Sequence, residues 1–132
     1  MDDFVHNDTA RRFIAALRMV EQRRDLEPMV ELFTDEAELS RLDGQDARRG
    51  PDGAREFWTE FRESFDEIKS TVVHATEGEN AVALEWHAEG TLPGGQDFSC
   101  TGVSVVDIDG ARVTGFRTYY DSAAFVAEPA AG

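Results

Sequence analysis

Cysteine is almost absent from this chain of 132 residues: Cys100 is the only one, so no intramolecular disulfide can form. A buried, reduced thiol is its expected state, with a pocket position as the alternative. Lysine is equally scarce. Lys69 stands alone, and the remaining basic charge is arginine. Thirteen basic residues face 27 acidic ones, a formal net charge of −14. Such a chain lacks the basic surface that phosphate backbones and anionic lipids require, so neither nucleic acid nor membrane is an expected partner. Many carboxylates with few lysines suit a protein kept soluble in concentrated salt, where self-repulsion is screened. An acidic protein from a GC-rich genome would have the same composition. No apolar run approaches the roughly 18–20 residues needed to span a bilayer. The opening MDDFVHND is acidic and has no apolar signal core, so no export is expected and a cytoplasmic location follows by default. His6, His74 and His87 are far apart and lack ligand-like spacing, so no metal and no cofactor are expected. Neither a nucleophile-elbow serine nor a glycine-rich phosphate loop is present.

What is there is periodicity. The length suits one domain able to bury its own core, and 41% of the residues are hydrophobic. Asn7, Asp8 or Thr9 can cap a first helix, on which Ala10, Phe13, Ile14, Leu17 and Val20 or Glu21 form an apolar stripe ending near Arg24. Asp25 can cap a second, short helix with Pro28 in its first turn and Leu26, Met29, Val30 and Phe33 on its buried side. A strand is predicted over Ala37–Leu42, with Ala37, Leu39 and Arg41 on one face, then a polar loop over Asp43–Pro51. A third helix follows from about Asp52 to Phe65. Its aromatic stripe (Ala54, Phe57, Trp58, Phe61 and Phe65) reads as core. Four strands in hairpin succession complete the chain: Ile68–Thr76, Ala81–Leu92, Asp97–Ile108 and Arg112–Tyr120, with Asp109-Gly110 as a hairpin turn. Asp121 would cap a short last helix before a frayed tail. Helices grouped ahead of an antiparallel meander indicate an α+β fold with helices over one sheet face.

The clearest alternation is in AVALEWHAEGTL. Val82, Leu84, Trp86 and Ala88 fall on one side, and Glu85, His87 and Glu89 on the other. Three ionisable groups on one strand face either form a solvated surface or line a cavity.

Several ordered patterns resemble the nuclear transport factor 2-like superfamily and, within it, the SnoaL-like, polyketide cyclase-like proteins. They are Arg12–Leu17, Asp25-Leu26, Leu32–Ala37, Gly50-Pro51 with Phe57-Trp58, Val82–Trp86 with Gly90-Thr91, Gly102-Val103, and Arg117–Asp121. The resemblance implies a single domain over 1–132, with 1–6 and 128–132 as loose tails. Its fold would be a cystatin-like α+β barrel: three N-terminal helices on a curved, mostly antiparallel sheet, closed into a cone around a pocket. It also implies a homodimer through the outer sheet face. By analogy with the limonene epoxide hydrolases, Leu39, Arg41, Glu85, His87 and Thr118 look inward. Phe98, Cys100, Ser104, Phe116 and Tyr120 join them, with Phe57 and Trp58 also bordering the pocket. Leu84 and Trp86 would then face the partner subunit. A one-residue shift of the alignment reverses this and puts Trp86 inside.

The same comparison limits the chemistry. The aspartate–arginine–aspartate triad of the epoxide hydrolases, with its tyrosine and asparagine, is replaced at the matching positions by His87, Glu85, Thr118, Leu39 and Arg41. The tyrosine and aspartates of the ketosteroid isomerases are replaced by Phe13, Arg41 and approximately Val103. With Phe and Val in place of donors, that oxyanion hole is not expected. The remaining candidates are His87 as general base, Glu85 orienting it, Arg41 polarising a carbonyl or binding a carboxylate, and Asp121 as a secondary base. Such a set suits proton abstraction beside a carbonyl, or the aldol-type closure of the SnoaL-like cyclases. Against it stand a structural Arg41–Glu85 ion pair and an Asp121 that only caps a helix. Two expectations follow: a cofactor-independent isomerase, cyclase, lyase or hydrolase acting on a small apolar carbonyl compound, or a non-catalytic domain that binds a small apolar ligand or dimerises.

Overall fold

A computed structural model describes residues 5–41 and 47–121. Helix α1 (Asp8–Arg23) starts where the Asn7 side chain accepts from the Ala10 N–H at 2.9 Å, and ends at Arg24 in the left-handed conformation. The Glu77 carboxylate accepts from the backbone N–H groups of His6 and Asn7, tying the start of α1 to the end of a distant strand. Helix α2 (Glu27–Val30) is a single turn with Pro28 near its start. It ends before Phe33, which opens strand β1 (Phe33–Arg41) and pairs with Val113. Phe33 therefore belongs to the sheet rather than to the buried side of α2. The expected polar loop holds a two-residue strand β2 (Arg48–Arg49), antiparallel to Glu38–Leu39 and too short to leave a periodic signal. Helix α3 (Gly50–Glu63) begins two residues earlier than its spacing suggested. Strands β3 (Glu67–Glu77), β4 (Ala81–Thr91), β5 (Asp97–Asp109) and β6 (Arg112–Tyr120) form the meander.

The six strands make one sheet in the order β2-β1-β6-β5-β4-β3. Every pairing is antiparallel except β1 with β6, so the first long strand lies parallel to the last. The sheet is open, with β2 and β3 at its edges, rather than closed strand to strand. Bulges in β3 between Val72 and His74, and in β6 between Val113 and Gly115, bend it. Helices α1 and α3 cover the inner face. Phe13, Ile14 and Val20 of α1 join Phe57 and Trp58 of α3, and Leu39, Leu84, Val106 and Phe116 of the sheet, in one core. The expected Asp121 helix lies outside the described residues, apart from Asp121 itself.

Register decides which side of β4 faces the helices. Antiparallel neighbours project to the same face. Leu84 pairs with Ser104, Trp86 with Gly102 and Ala88 with Cys100; in turn Ser104 pairs with Thr118 and Gly102 with Tyr120. The inward set expected on β5 and β6 thus carries Leu84, Trp86 and Ala88 with it. Glu85, opposite Val103, and His87, opposite Thr101, project outward. This corrects the inward orientation expected for Glu85 and His87, and the outward one expected for Leu84 and Trp86.

Candidate functional site

Between the inner sheet face and helices α1 and α3 lies a cavity of about 620 Å³, a volume that suits a small organic ligand. Nine of its lining residues are aromatic. Phe13 comes from α1, Phe57, Trp58 and Phe61 from α3, Phe65 from the turn after it, and Trp86, Phe98, Phe116 and Tyr120 from the strands. Phe57 and Phe61 pack edge to face on Trp58, with centroids 5.1 and 5.3 Å away, and Phe116 lies tilted against it at 5.2 Å. Phe65 stacks on Phe98 at 4.9 Å and closes another part of the wall. The Arg62 guanidinium holds this turn in place, donating to the carbonyls of Glu21, Phe65 and Asp66. The Trp58 indole N–H is buried without a partner among the described residues.

The polar groups of the wall are few and ordered. The Trp86 indole N–H donates to Ser104 Oγ at 2.9 Å, and Ser104 Oγ lies 2.9 Å from Thr118 Oγ1. Thr118 pairs in turn with Arg41 on β1. The Arg41 guanidinium lies 4.7 Å from the centre of the Phe57 ring. Its carboxylate neighbour is Glu60, at 3.7 Å, but Glu60 is held more closely by Arg48 at 2.9 Å. Arg41 thus keeps donor capacity at the cavity. Ser64, Ser70 and the Tyr120 ring supply the other polar lining.

The candidate residues separate cleanly. Arg41, Phe57, Trp58, Phe98, Ser104, Phe116, Thr118 and Tyr120 meet at the cavity. Leu39 does not line it; it is fully buried in the core beneath. Cys100 is also buried without lining it. Its Sγ contacts the Asp121 carbonyl at 3.7 Å, and burial pushes the thiol pKa up, away from reactivity. Asp121 contributes that carbonyl and is not in the wall. Glu85 and His87 lie on the opposite sheet face, remote from Arg41 on β1, so the Arg41–Glu85 pair is not formed. Among the described residues no group of three His, Cys, Asp or Glu could hold a metal ion, and no helix is long and apolar enough to cross a membrane.

One buried carboxyl stands at the end of the α1 stripe, where the sequence offered Val20 or Glu21 and both are buried. Glu21 is 2% exposed; its Oε1 accepts from the Ser70 N–H at 3.0 Å and its Oε2 has no partner among the described residues. Burial raises its pKa, against the lowering effects of hydrogen bonds from Ser70 and of Arg62 and Arg18. The signal was a charge inside an apolar stripe, four residues after Leu17.

The SnoaL-like domain model matches residues 10–116. No curated protein matches the chain in sequence. Among solved structures, an NTF2-like protein from Anabaena variabilis superposes with a TM-score of 0.78 at 19% identity, over 89% of this chain and 94% of that one. TerC, co-crystallised with polyporic acid, gives 0.77 at 16% identity over 90% and 95%. A protein from Catenulispora acidiphila with a ketosteroid isomerase-like fold, in complex with trimethylamine, gives 0.76 at 12% identity over 91% and 90%. The chain belongs to the SnoaL-like domain family and has the nuclear transport factor 2-like fold.

Proposed function

We propose that this domain binds a small, largely aromatic molecule carrying an oxygen anion or carbonyl, with the oxygen at Arg41 and the Ser104–Thr118 hydroxyls. The lining carries the reading: a cage of rings with one cation and a short hydroxyl chain, and no carboxylate or imidazole among the lining residues. Rings supply apolar area and stacking, while the polar groups fix orientation. Proton abstraction inside the cavity would need a base there, and His87 and Glu85 project from the other face. Binding without turnover is therefore better supported than an isomerase or cyclase reaction.

The outer sheet face supports a second part of the reading, a homodimer. Val73 is 59% exposed and Tyr119 42%. Ala83, Val103 and Val105 lie on the same face by alternation and register. These apolar side chains, with Glu85 paired to Val103 and Arg117 to Val105 beside them, suit a subunit contact.

Biphenyl-4-carboxylate is a suitable probe, titrated against the fluorescence of Trp58 and Trp86. The expected result is saturable quenching with one site per chain, weakened in Trp86→Ala and unchanged in His87→Ala. No saturable binding, or binding that depends on His87 and not on Trp86, would overturn the reading.

A further inference from the structure

Arg41 brings the cavity its cation, and a carboxylate stands beside it. Glu60 Oε1 is 3.7 Å from Arg41 Nη2, beyond hydrogen-bond reach. The Glu60 side chain is half exposed and has room to turn closer. With Glu60 hydrogen-bonded to it, Arg41 would carry its own counter-ion and have little left for an anionic ligand. Arg48 of β2 stands in the way. Its Nη2 lies 2.9 Å from Glu60 Oε2 and holds the other oxygen of the same carboxylate. Neither Arg48 nor Glu60 lines the cavity.

The fold fixes this arrangement. Strand β2 pairs Arg48 with Leu39 and Arg49 with Glu38, beside the part of β1 that leads to Arg41. Strand alternation sends the two arginines to opposite faces. Arg49 goes to Glu38, and Arg48 goes to Glu60. Helix α3 starts directly after β2, and its first turn rests on that strand. A Cβ added at Gly53 would lie only 2.9 Å from the Arg48 carbonyl carbon, an approach that glycine permits. Glu60 comes two turns after Gly53, on the same side of α3. The contact of α3 with β2 therefore sets Arg48 and Glu60 against each other, and gives the two-residue strand a task.

Resting on the binding reading above, we propose that Arg48 is a positioning residue for the ligand's acidic group: by holding Glu60 it keeps that carboxylate off Arg41 and leaves the Arg41 guanidinium to the ligand. Arg48 does not touch the ligand; it acts through Glu60. The uncharged part of the ligand is indifferent to it, so Arg48 sets the preference for an acid over the corresponding amide.

The experiment titrates biphenyl-4-carboxylate and biphenyl-4-carboxamide by calorimetry into the intact protein carrying Arg48→Gln, Glu60→Gln, both or neither. Wild type should bind the acid more tightly than the amide. Arg48→Gln should weaken the acid about tenfold, as loss of Arg41 itself would, and the amide by less than about twofold. In the Glu60→Gln background the same Arg48→Gln change should cost the acid less than about twofold, because no carboxylate remains to occupy Arg41. Arg48→Lys can still hold Glu60 and should keep most of the wild-type preference. An acid loss of equal size in both backgrounds would mean that Arg48 acts by its charge alone, and no loss in either that it does not act. Each of these overturns the inference and leaves the binding reading standing. Should Arg48→Gln fail to fold, Arg48→Met, with an unbranched stem and no charge, replaces it in both backgrounds. A wild type that binds acid and amide equally removes the anion from Arg41 and this inference with it. If neither probe binds, the whole binding reading falls.

Discussion

Trp86 and Ser104 are joined across neighbouring strands by a hydrogen bond of 2.9 Å, and the bond exists because residue 102 has no side chain. The indole lies over Gly102, where an added Cβ would come within 2.5 Å of Trp86 Cζ2 and also meet the Tyr119 carbonyl. The glycine provides space on the cavity floor for the largest side chain of β4. Gly102→Ala should cost about 1–3 kcal/mol by overpacking and displace the indole from Ser104. Thermal melting and a loss of probe binding would register the two effects. A fully stable Gly102→Ala with unchanged binding would mean the ring is not fixed there.

The reversed face of β4 makes a sharp comparison. Trp86→Ala removes a wall of the cavity and should weaken binding of biphenyl-4-carboxylate by about tenfold. His87→Ala and Glu85→Ala, on the other face, should leave it within about twofold. Any turnover found later should likewise persist in both. An effect confined to the His87 and Glu85 variants would restore the proton-abstraction chemistry.

Arg41 is held by Glu60 at only 3.7 Å and rests on Phe57. Arg41→Ala should therefore weaken an aromatic carboxylate by roughly tenfold. Biphenyl-4-carboxamide, which has the same shape without the charge, should lose much less. Equal losses for acid and amide would show that Arg41 contributes packing alone.

Glu21 sets a pH dependence of stability. Its folded pKa is raised above the ordinary 4.5, chiefly by burial. Its stabilising contribution is full below that ordinary value and is lost as pH rises through the raised one. Glu21→Gln has no such loss, so the wild type should become less stable relative to the variant as pH rises above the ordinary carboxylate range. A difference in melting temperature that stays constant over that rise would mean that Glu21 titrates like an exposed carboxyl.

The outer face can be tested through assembly. Val103→Glu places a charge between Tyr119 and Glu85, among the apolar side chains of that face. Sedimentation should show the wild type as a dimer and the variant as a monomer that still binds the probe. A wild-type monomer at all accessible concentrations would remove the dimer from the account.

Helix and strand placement was legible because the patterns are strong: Phe13, Ile14 and Leu17 have helical spacing, and residues 81–92 alternate without a break. The face of β4 was harder. Alternation shows that Trp86 and His87 point apart, not which one points in, and the analogy with distant hydrolases chose the wrong side. The pairings of Gly102 and Ser104 would have settled it, but cross-strand register is not written in one strand's sequence. Strand β2 is too short for any period. Phe33 looked helical because it follows Met29 and Val30 at helical spacing. Glu21 was ambiguous for a physical reason: beside Val20, either residue could complete the α1 stripe. Only the Ser70 N–H opposite shows that a carboxylate is accommodated there.

The parallel partnership of β1 with β6 has a consequence for how the domain is made. The meander β3 to β6 can form from neighbouring hairpins as the chain emerges. Strand β1 cannot: its long partner is the last strand of the sheet, and until that arrives β1 is paired only with the two-residue β2 on its other side. Closing so long a loop comes late and raises the contact order, so the helices and β1 must wait during synthesis for the C-terminal strand. In that interval the apolar wall of the future cavity is uncovered, and a net charge of −14 opposes its contact with other copies by repulsion.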